Sequence, residues 1–236
     1  MKNFIVYNGI QLSDYGVFIS GDGTFNAPER DVDTIEIQGR NGELTIDKGR
    51  YKNIDVTYPA FVYRHFKDRI ESLRNILLQP VGFVRIEDTY HPDQYRIGRY
   101  KGGFKVEPIP ELYAGKFDLT FNCYPQRFLK SGDDPIELTA DGVIVSKYLT
   151  VAKPLLRAYG TGSFTIGGIS IQITAANGYT DIDCDLEEAY KDNLSASCNS
   201  NIVLTDGVFP RIIYGDNAVS LSGISKLIIY PRWWVL

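Results

Sequence analysis

Residues 31–62 read DVDTIEIQGRNGELTIDKGRYKNIDVTYPAFV, and the order of apolar and turn-forming residues in this stretch decides the fold. Ile35 and Ile37 alternate with polar neighbours, Gly39-Arg40-Asn41-Gly42 interrupts, and Leu44 and Ile46 resume the alternation. Period-2 alternation sends one row of side chains to one face, and Asn-Gly tolerates the positive φ of a tight hairpin turn. A third run, Ile54, Val56 and Tyr58, repeats the pattern before Pro59. The expectation is a three-stranded antiparallel sheet with one dry face and one wet face.

Downstream, Phe66, Ile70, Leu73 and Leu77 fall four, three and four residues apart, which predicts a helix over Arg64–Gln79 that Pro80 and Gly82 stop. Strands follow. Phe83, Val84 and Ile86 begin one, Asp88 to Asp93 is rich in turn formers, and Tyr95 to Val106 reads as the return strand with a bend at Gly102-Gly103. Phe117, Leu119, Phe121 and Cys123 alternate with Asp118, Thr120 and Asn122, a half-buried strand. Lys130 to Pro135 combines charge, Gly and Pro without an apolar residue and is the expected linker between domains 1–130 and 131–236. Beyond it Phe164 and Ile166, then Ile169, Ile171 and Ile173, flank Gly167-Gly168, and Asn177-Gly178 marks another turn. Short strands at such spacing predict a β-sandwich or jelly roll.

The 236 residues suffice for two cores, and 44% hydrophobic with 23% charged residues is a globular composition. A net charge of −4 speaks against wholesale duplex DNA binding, which needs a concentrated basic face. Cys123, Cys184 and Cys198 are odd in number and lack CxxC spacing, as expected of a reduced cytoplasmic compartment. MKNFIVYNG is too short an apolar run for a signal peptide, and nothing reaches the roughly 18 apolar residues of a membrane helix.

No catalytic, cofactor or metal residue is expected. His65 opens the helix and His91 sits in a Pro-containing turn, and both read as solvated surface groups without a nearby nucleophile motif. Asp181, Asp183 and Asp185 fail the EF-hand pattern, with Leu186 at the sixth position and Asp192 at the twelfth. Their alternation points the acids outward and Ile182, Cys184 and Leu186 inward. Glu187 with Glu188, or Glu107 with Glu111, would need a separation of roughly 5–9.5 Å across a cleft to act as a glycosidase pair, and read as solvated charges. Gly21-Asp22-Gly23 and Gly160-Thr161-Gly162 lack the third glycine of a nucleotide fingerprint and are turns. Adjacent Trp233 and Trp234 face opposite sides of a strand, and the sequon Asn193-Leu194-Ser195 stays unmodified in a bacterial cytosol.

The hairpin, third strand and helix of residues 31–79 resemble, in that order, the N-terminal domain of the distal tail proteins of long-tailed phages that infect Gram-positive bacteria. The second half is similar to the galectin-like C-terminal domain of the same family. The matching pieces are Pro154 with Tyr159-Gly160, DIDCD at Asp181–Asp185, Phe209-Pro210, Gly215-Asp216-Asn217 and the close from Ile228 to Trp234. Longer family members carry inserted domains for which this chain has no room. The resemblance implies a structural hub of the virion tail tip, assembled in the host cytoplasm, and not an enzyme. Its N-terminal domains would form a homohexameric ring whose lumen passes DNA without specific binding. Its C-terminal domains would dock receptor-binding or baseplate proteins, and the ring would join the tail tube protein to a tail-associated fibre or lysin protein. A lectin-like, carbohydrate-binding sandwich is the alternative, and folds of this kind host many functions.

Overall fold

The computed structural model describes residues 2–21 and 23–236, Glu111 by its backbone alone. The chain divides into two units, the first ending at Arg127 and the second spanning Phe128–Val235.

The first unit contains β1 (Ile5–Tyr7), β2 (Ile10–Gln11), β3 (Val17–Ile19), β4 (Arg30–Glu36), β5 (Glu43–Tyr51), β6 (Ile54–Tyr63), α1 (Phe66–Leu78), β7 (Val84–Asp88), β8 (Gln94–Tyr100), β9 (Glu107–Ile109) and β10 (Ala114–Cys123). The main sheet runs β2-β1-β7-β8-β10-β6-β3, antiparallel throughout. At its far end Ile19 N donates to Asn3 O at 2.9 Å, so the sheet curls back on its own first strand. Barrel closure of this kind removes free edges. Inward residues such as Ile5, Tyr7, Val56, Tyr58, Leu119 and Phe121 fill the interior.

The helix forms where its apolar spacing places it. His65 precedes it with φ 45°, and Ile70, Leu73, Ile76 and Leu77 are buried in the same core. Burying four such side chains contributes about 6–12 kcal/mol before entropy is subtracted. The strand expected around Phe117 is β10, whose burial alternates along its length. The return strand is shorter than expected. It stops at Tyr100, and Gly102 and Gly103, at φ +100° and +48°, carry the chain out of extended geometry.

The decisive stretch is organised differently from the sequence expectation. β4 pairs only with β5, whereas β6 joins β10 from Cys123↔Ile54 to Ala114↔Tyr63, and joins β3 from Val17↔Val62. There is thus no three-stranded sheet over residues 31–62; the hairpin is a free ribbon. Its last ladder pair is Glu36↔Glu43, so residues 37–42 form a longer loop rather than a two-residue turn. Gly39 and Gly42, at φ +81° and +83°, take the left-handed conformations there, and Asn41 does not.

The second unit is a β-sandwich. After β11 (Arg127–Leu129) come β12 (Ile136–Leu138), β13 (Gly142–Ser146), β14 (Leu155–Tyr159), β15 (Gly162–Ile166), β16 (Ile169–Ile173), β17 (Tyr179–Asp183), β18 (Glu188–Lys191), β19 (Asn193–Ser197), β20 (Ile202–Leu204), β21 (Gly215–Ser222), β22 (Lys226–Tyr230) and β23 (Trp234–Val235). One sheet runs β12-β22-β14-β17-β18-β19 and the other β13-β21-β15-β16-β20. Leu156, Ile182, Leu227 and Ile229 of the first share a core with Phe164, Ile166, Ile171 and Ile173 of the second. Gly167 and Gly168 make the expected turn between β15 and β16. No helix among the described residues is long and apolar enough to cross a membrane.

Candidate functional site

The hairpin β4–β5 is the feature that the fold itself does not use. Cross-strand pairs share a face, so Asp33↔Ile46 and Ile35↔Leu44 put Asp33, Ile35, Leu44 and Ile46 together. Val32↔Asp47, Thr34↔Thr45 and Glu36↔Glu43 occupy the other face. Ile35, Leu44 and Ile46, with Ile37 just past the strand, are 41–47% exposed, and none belongs to a core cluster. One face is therefore mainly apolar and uncovered, and the other carries three acids beside Val32, Thr34 and Thr45.

Ion pairs stiffen the base of the ribbon. Arg30 Nε donates to Asp47 Oδ2 at 2.9 Å, and Nη1 to Tyr51 Oη at 3.1 Å. Asp47 is held below the usual carboxylate range by Arg30 first and then by the Gly49 N–H. Lys48 Nζ lies 2.7 Å from Asp33, and Arg50 donates to Asp31 Oδ2 at 2.7 Å, which lowers the Asp31 pKa. Lys52 N to Glu29 O at 2.8 Å closes the base. Pairs whose cations are this exposed contribute little net stability, so their effect is to orient the ribbon rather than to hold the fold.

The other sequence candidates are scattered. His65 is exposed, on the rim of a depression of about 550 Å3 lined by Arg64, Phe66, Lys67, Asp68 and Tyr113, without a hydroxyl or thiol nucleophile beyond that phenol. His91 is not freely solvated: its Nδ1 lies 3.1 Å from Asp88, whose carboxylate also accepts Tyr58 Oη at 2.8 Å. The outward placement of Asp181 and Asp183 is overturned. Both are 3% exposed, Arg157 Nε reaches Asp181 at 2.6 Å, and Arg232 grips Asp183. Asp185 is exposed, and Leu186, expected inside, is exposed too. Cys123 and Cys184 are buried and their thiols pushed up by burial, Cys123 to about 11, so neither is a ready nucleophile.

Glu187 is exposed, whereas Glu188 bonds Asn199, and the Glu111 side chain of the other pair lies outside the described residues. Asp22 likewise lies outside them, while Gly21 and Gly23 have φ +94° and +98°. Gly160 sits in the turn after β14, and Gly162 opens β15. Trp233 is buried in the sandwich core, and Trp234, partly exposed, donates from Nε1 to Val151 O at 3.0 Å. Asn193 opens β19 in an exposed position. Among the described residues no group of three His, Cys, Asp or Glu could hold a metal ion. Sequence reasoning did not single out Arg96, which lies buried on β8.

This combination, a closed barrel bearing one helix and a free ribbon followed in the chain by a β-sandwich, is also found in a solved phage protein. The crystal structure of SPP1 Dit (gp 19.1), a paradigm of the hub adsorption apparatus in phages that infect Gram-positive bacteria, matches with a TM-score of 0.74 at 16% identity, over 97% of this chain and 98% of that one. Chains of the phage P2 baseplate in its activated conformation match at 10% identity over 97% of both chains. Their TM-scores are 0.50 with Ca and 0.52 with Sr. No protein-family model matches the chain, and no curated protein matches it in sequence.

Proposed function

We propose that this chain is a structural component of a siphophage tail tip, a ring-forming hub that links the tail tube to the baseplate or receptor-binding apparatus. Residues 1–130 build the ring as a homohexamer, and residues 131–236 form a galectin-like domain that docks receptor-binding or baseplate proteins. The tube protein and a tail-associated fibre or lysin protein are the axial partners, and DNA passes through the lumen without specific binding. The particle forms in the host cytoplasm and the hub resides at the virion tail tip. No bond is made or broken, so the role requires no catalytic residue.

The observation that carries this reading is the uncovered apolar face of the β4–β5 ribbon. Four half-exposed aliphatic side chains, covered by a second copy, would contribute about 4 kcal/mol per contact. A ribbon that meets a different surface on its neighbour makes a heterologous contact, and such contacts close into rings by rotation. The shared fold with SPP1 Dit supports the same reading. Light scattering on the purified chain tests it: a hexamer that falls apart when Ile35 and Leu44 become serine supports the hub, and a chain that stays monomeric at all concentrations counts against it.

The lectin alternative has one candidate surface, the outer face of the sheet that carries β14 and β17, where Tyr159 and Tyr179 pack at 5.5 Å. Cations already lie over these rings: Arg157 is 4.3 Å from the Tyr179 centroid, Lys191 5.2 Å from the same ring, and Lys226 4.8 Å from Tyr159. A sugar needs a free ring face, so this surface favours the hub over the lectin.

A further inference from the structure

Arg96, on β8, is 4% exposed, and neither its Nε nor its Nη1 has a hydrogen-bond partner among the described residues. A buried guanidinium with two unmade bonds is a costly arrangement, because the group has lost its water and gained nothing. Its cross-strand partner is Ile86, which offers no side-chain acceptor.

The surroundings add a second positive charge rather than a compensating one. Tyr124 N donates to Ile97 O at 2.8 Å, which brings the chain from β10 back beside β8 as it approaches Arg127. Arg127 is itself buried, and its Nη2 is bonded to the neutral carbonyl of Thr24. Burial first, and then the Arg127 charge, depress the Arg96 pKa. One carboxylate, Asp88, acts on Arg96, but its oxygens are already committed. Oδ1 accepts the N–H groups of Tyr90 and His91 at 3.0 and 2.9 Å, and Oδ2 accepts Tyr58 Oη. Two buried cations thus act on each other, and the one carboxylate that acts on Arg96 is occupied elsewhere. Water could accept the two orphan N–H groups, yet it would leave the net charge in place.

We propose that the first unit holds a small inorganic anion of the chloride class beside Arg96, bonded by its Nε and Nη1 and neutralised jointly by Arg96 and Arg127. Gln94, two residues earlier on the same face of β8, has an amide oxygen without a partner. Turning that amide about its last bond replaces the orphan acceptor with an NH2 donor, which completes the anion's shell. The ion is a structural counter-charge that lets two arginines stay inside the barrel unit, and its loss would loosen β8 against the segment around Thr24.

An anion bound only by the folded chain raises the melting temperature with its concentration, by about 5 °C at a hundredfold excess over Kd. The full chain is melted in sodium chloride and in sodium gluconate at matched ionic strength, and 35Cl line broadening is recorded on the native protein with iodide as competitor. The expected result is a Tm that rises in chloride but not in gluconate, with broadening that iodide relieves and that Arg96→Met abolishes. Equal melting in both salts, or broadening that survives in Arg96→Met, overturns the proposal. Should Arg96→Met fail to fold, the salt comparison and the iodide competition on the parent chain decide alone. Asp22, outside the described residues, is two positions from Thr24: a parent chain blind to chloride but strongly destabilised by Asp22→Asn would assign the counter-charge to the chain itself and equally overturn the anion.

Discussion

Arg232 donates to Asp183 through both prongs of its guanidinium, Nη1 to Oδ1 at 2.7 Å and Nη2 to Oδ2 at 2.8 Å. Asp183 Oδ1 also accepts the N–H groups of Asp185 and Leu186 at 3.0 and 3.1 Å. Arg232 itself stands at φ +55°, a conformation that L residues adopt only when the surroundings impose it. The fork therefore ties the C-terminal segment to the end of β17, and removing one partner strands a buried charge. Arg232→Ala should cost about 3 kcal/mol, and Arg232→Lys should recover only part of it, because an ammonium cannot reproduce two parallel bonds. Urea unfolding monitored by tryptophan fluorescence reads the difference, and a loss below about 1 kcal/mol would contradict this account.

The same pair predicts how the protein responds to acid. Burial pushes the Asp183 pKa up, but the Arg232 bonds and the two backbone N–H groups outweigh it, and the net direction is down. A carboxyl whose folded pKa lies below its unfolded value of about 3.9 contributes stability that is fully present above that value and fades as pH falls through the folded pKa. Stability should thus drop progressively below about pH 4, and more steeply in the parent than in Asp183→Asn, which has no proton to take up there. Parallel pH slopes in the two proteins would show that Asp183 is not a source of the acid sensitivity.

Gly132 offers a steric test in the same unit. A Cβ built on it would lie 2.3 Å from the backbone nitrogen of Trp233, and Arg232 N donates to Gly132 O at 2.9 Å, so neither segment can yield without disturbing the other. Gly132→Ala should destabilise by about 1–3 kcal/mol, the usual range for forcing extra volume into a packed site. Melting within about 1 °C of the parent would mean that the terminal segment is held less tightly than the close approach implies.

Local patterning was legible in the sequence wherever one element settled its own geometry. The helix expected over 64–79 forms as Phe66–Leu78, because its apolar stripe needs only a surface to cover. The alternation at Phe117–Cys123 likewise marks β10. Partner choice was not legible. Ile54–Tyr63 follows the hairpin directly, yet it pairs with a strand whose Thr120 bonds Thr57 across 63 residues. Periodicity also assigns faces without saying what lies over them. Asp181 and Asp183 do point away from Ile182, but Arg157 and Arg232 close over that side, and one of these arrives from near the chain's end. Arg96 escaped notice for the same reason, since its burial comes from chain segments remote in sequence.

The ribbon gives the prediction that bears most directly on assembly, because its two faces serve as each other's control. Ile35 and Leu44 face the same side and touch no core cluster, so Ile35→Ser with Leu44→Ser should change the stability of the isolated chain by no more than about 0.5 kcal/mol. Thr34 and Thr45 oppose each other on the acidic side, and Thr34→Ala with Thr45→Ala leaves the apolar face intact. Sedimentation velocity over a range of concentrations should show the serine pair dissociating at concentrations where the parent and the alanine pair remain assembled. Dissociation of both pairs would mean that the ribbon's overall geometry, and not its apolar face, mediates contact. Assembly unchanged in both would remove the ribbon from the interface and return attention to the barrel's outer surface.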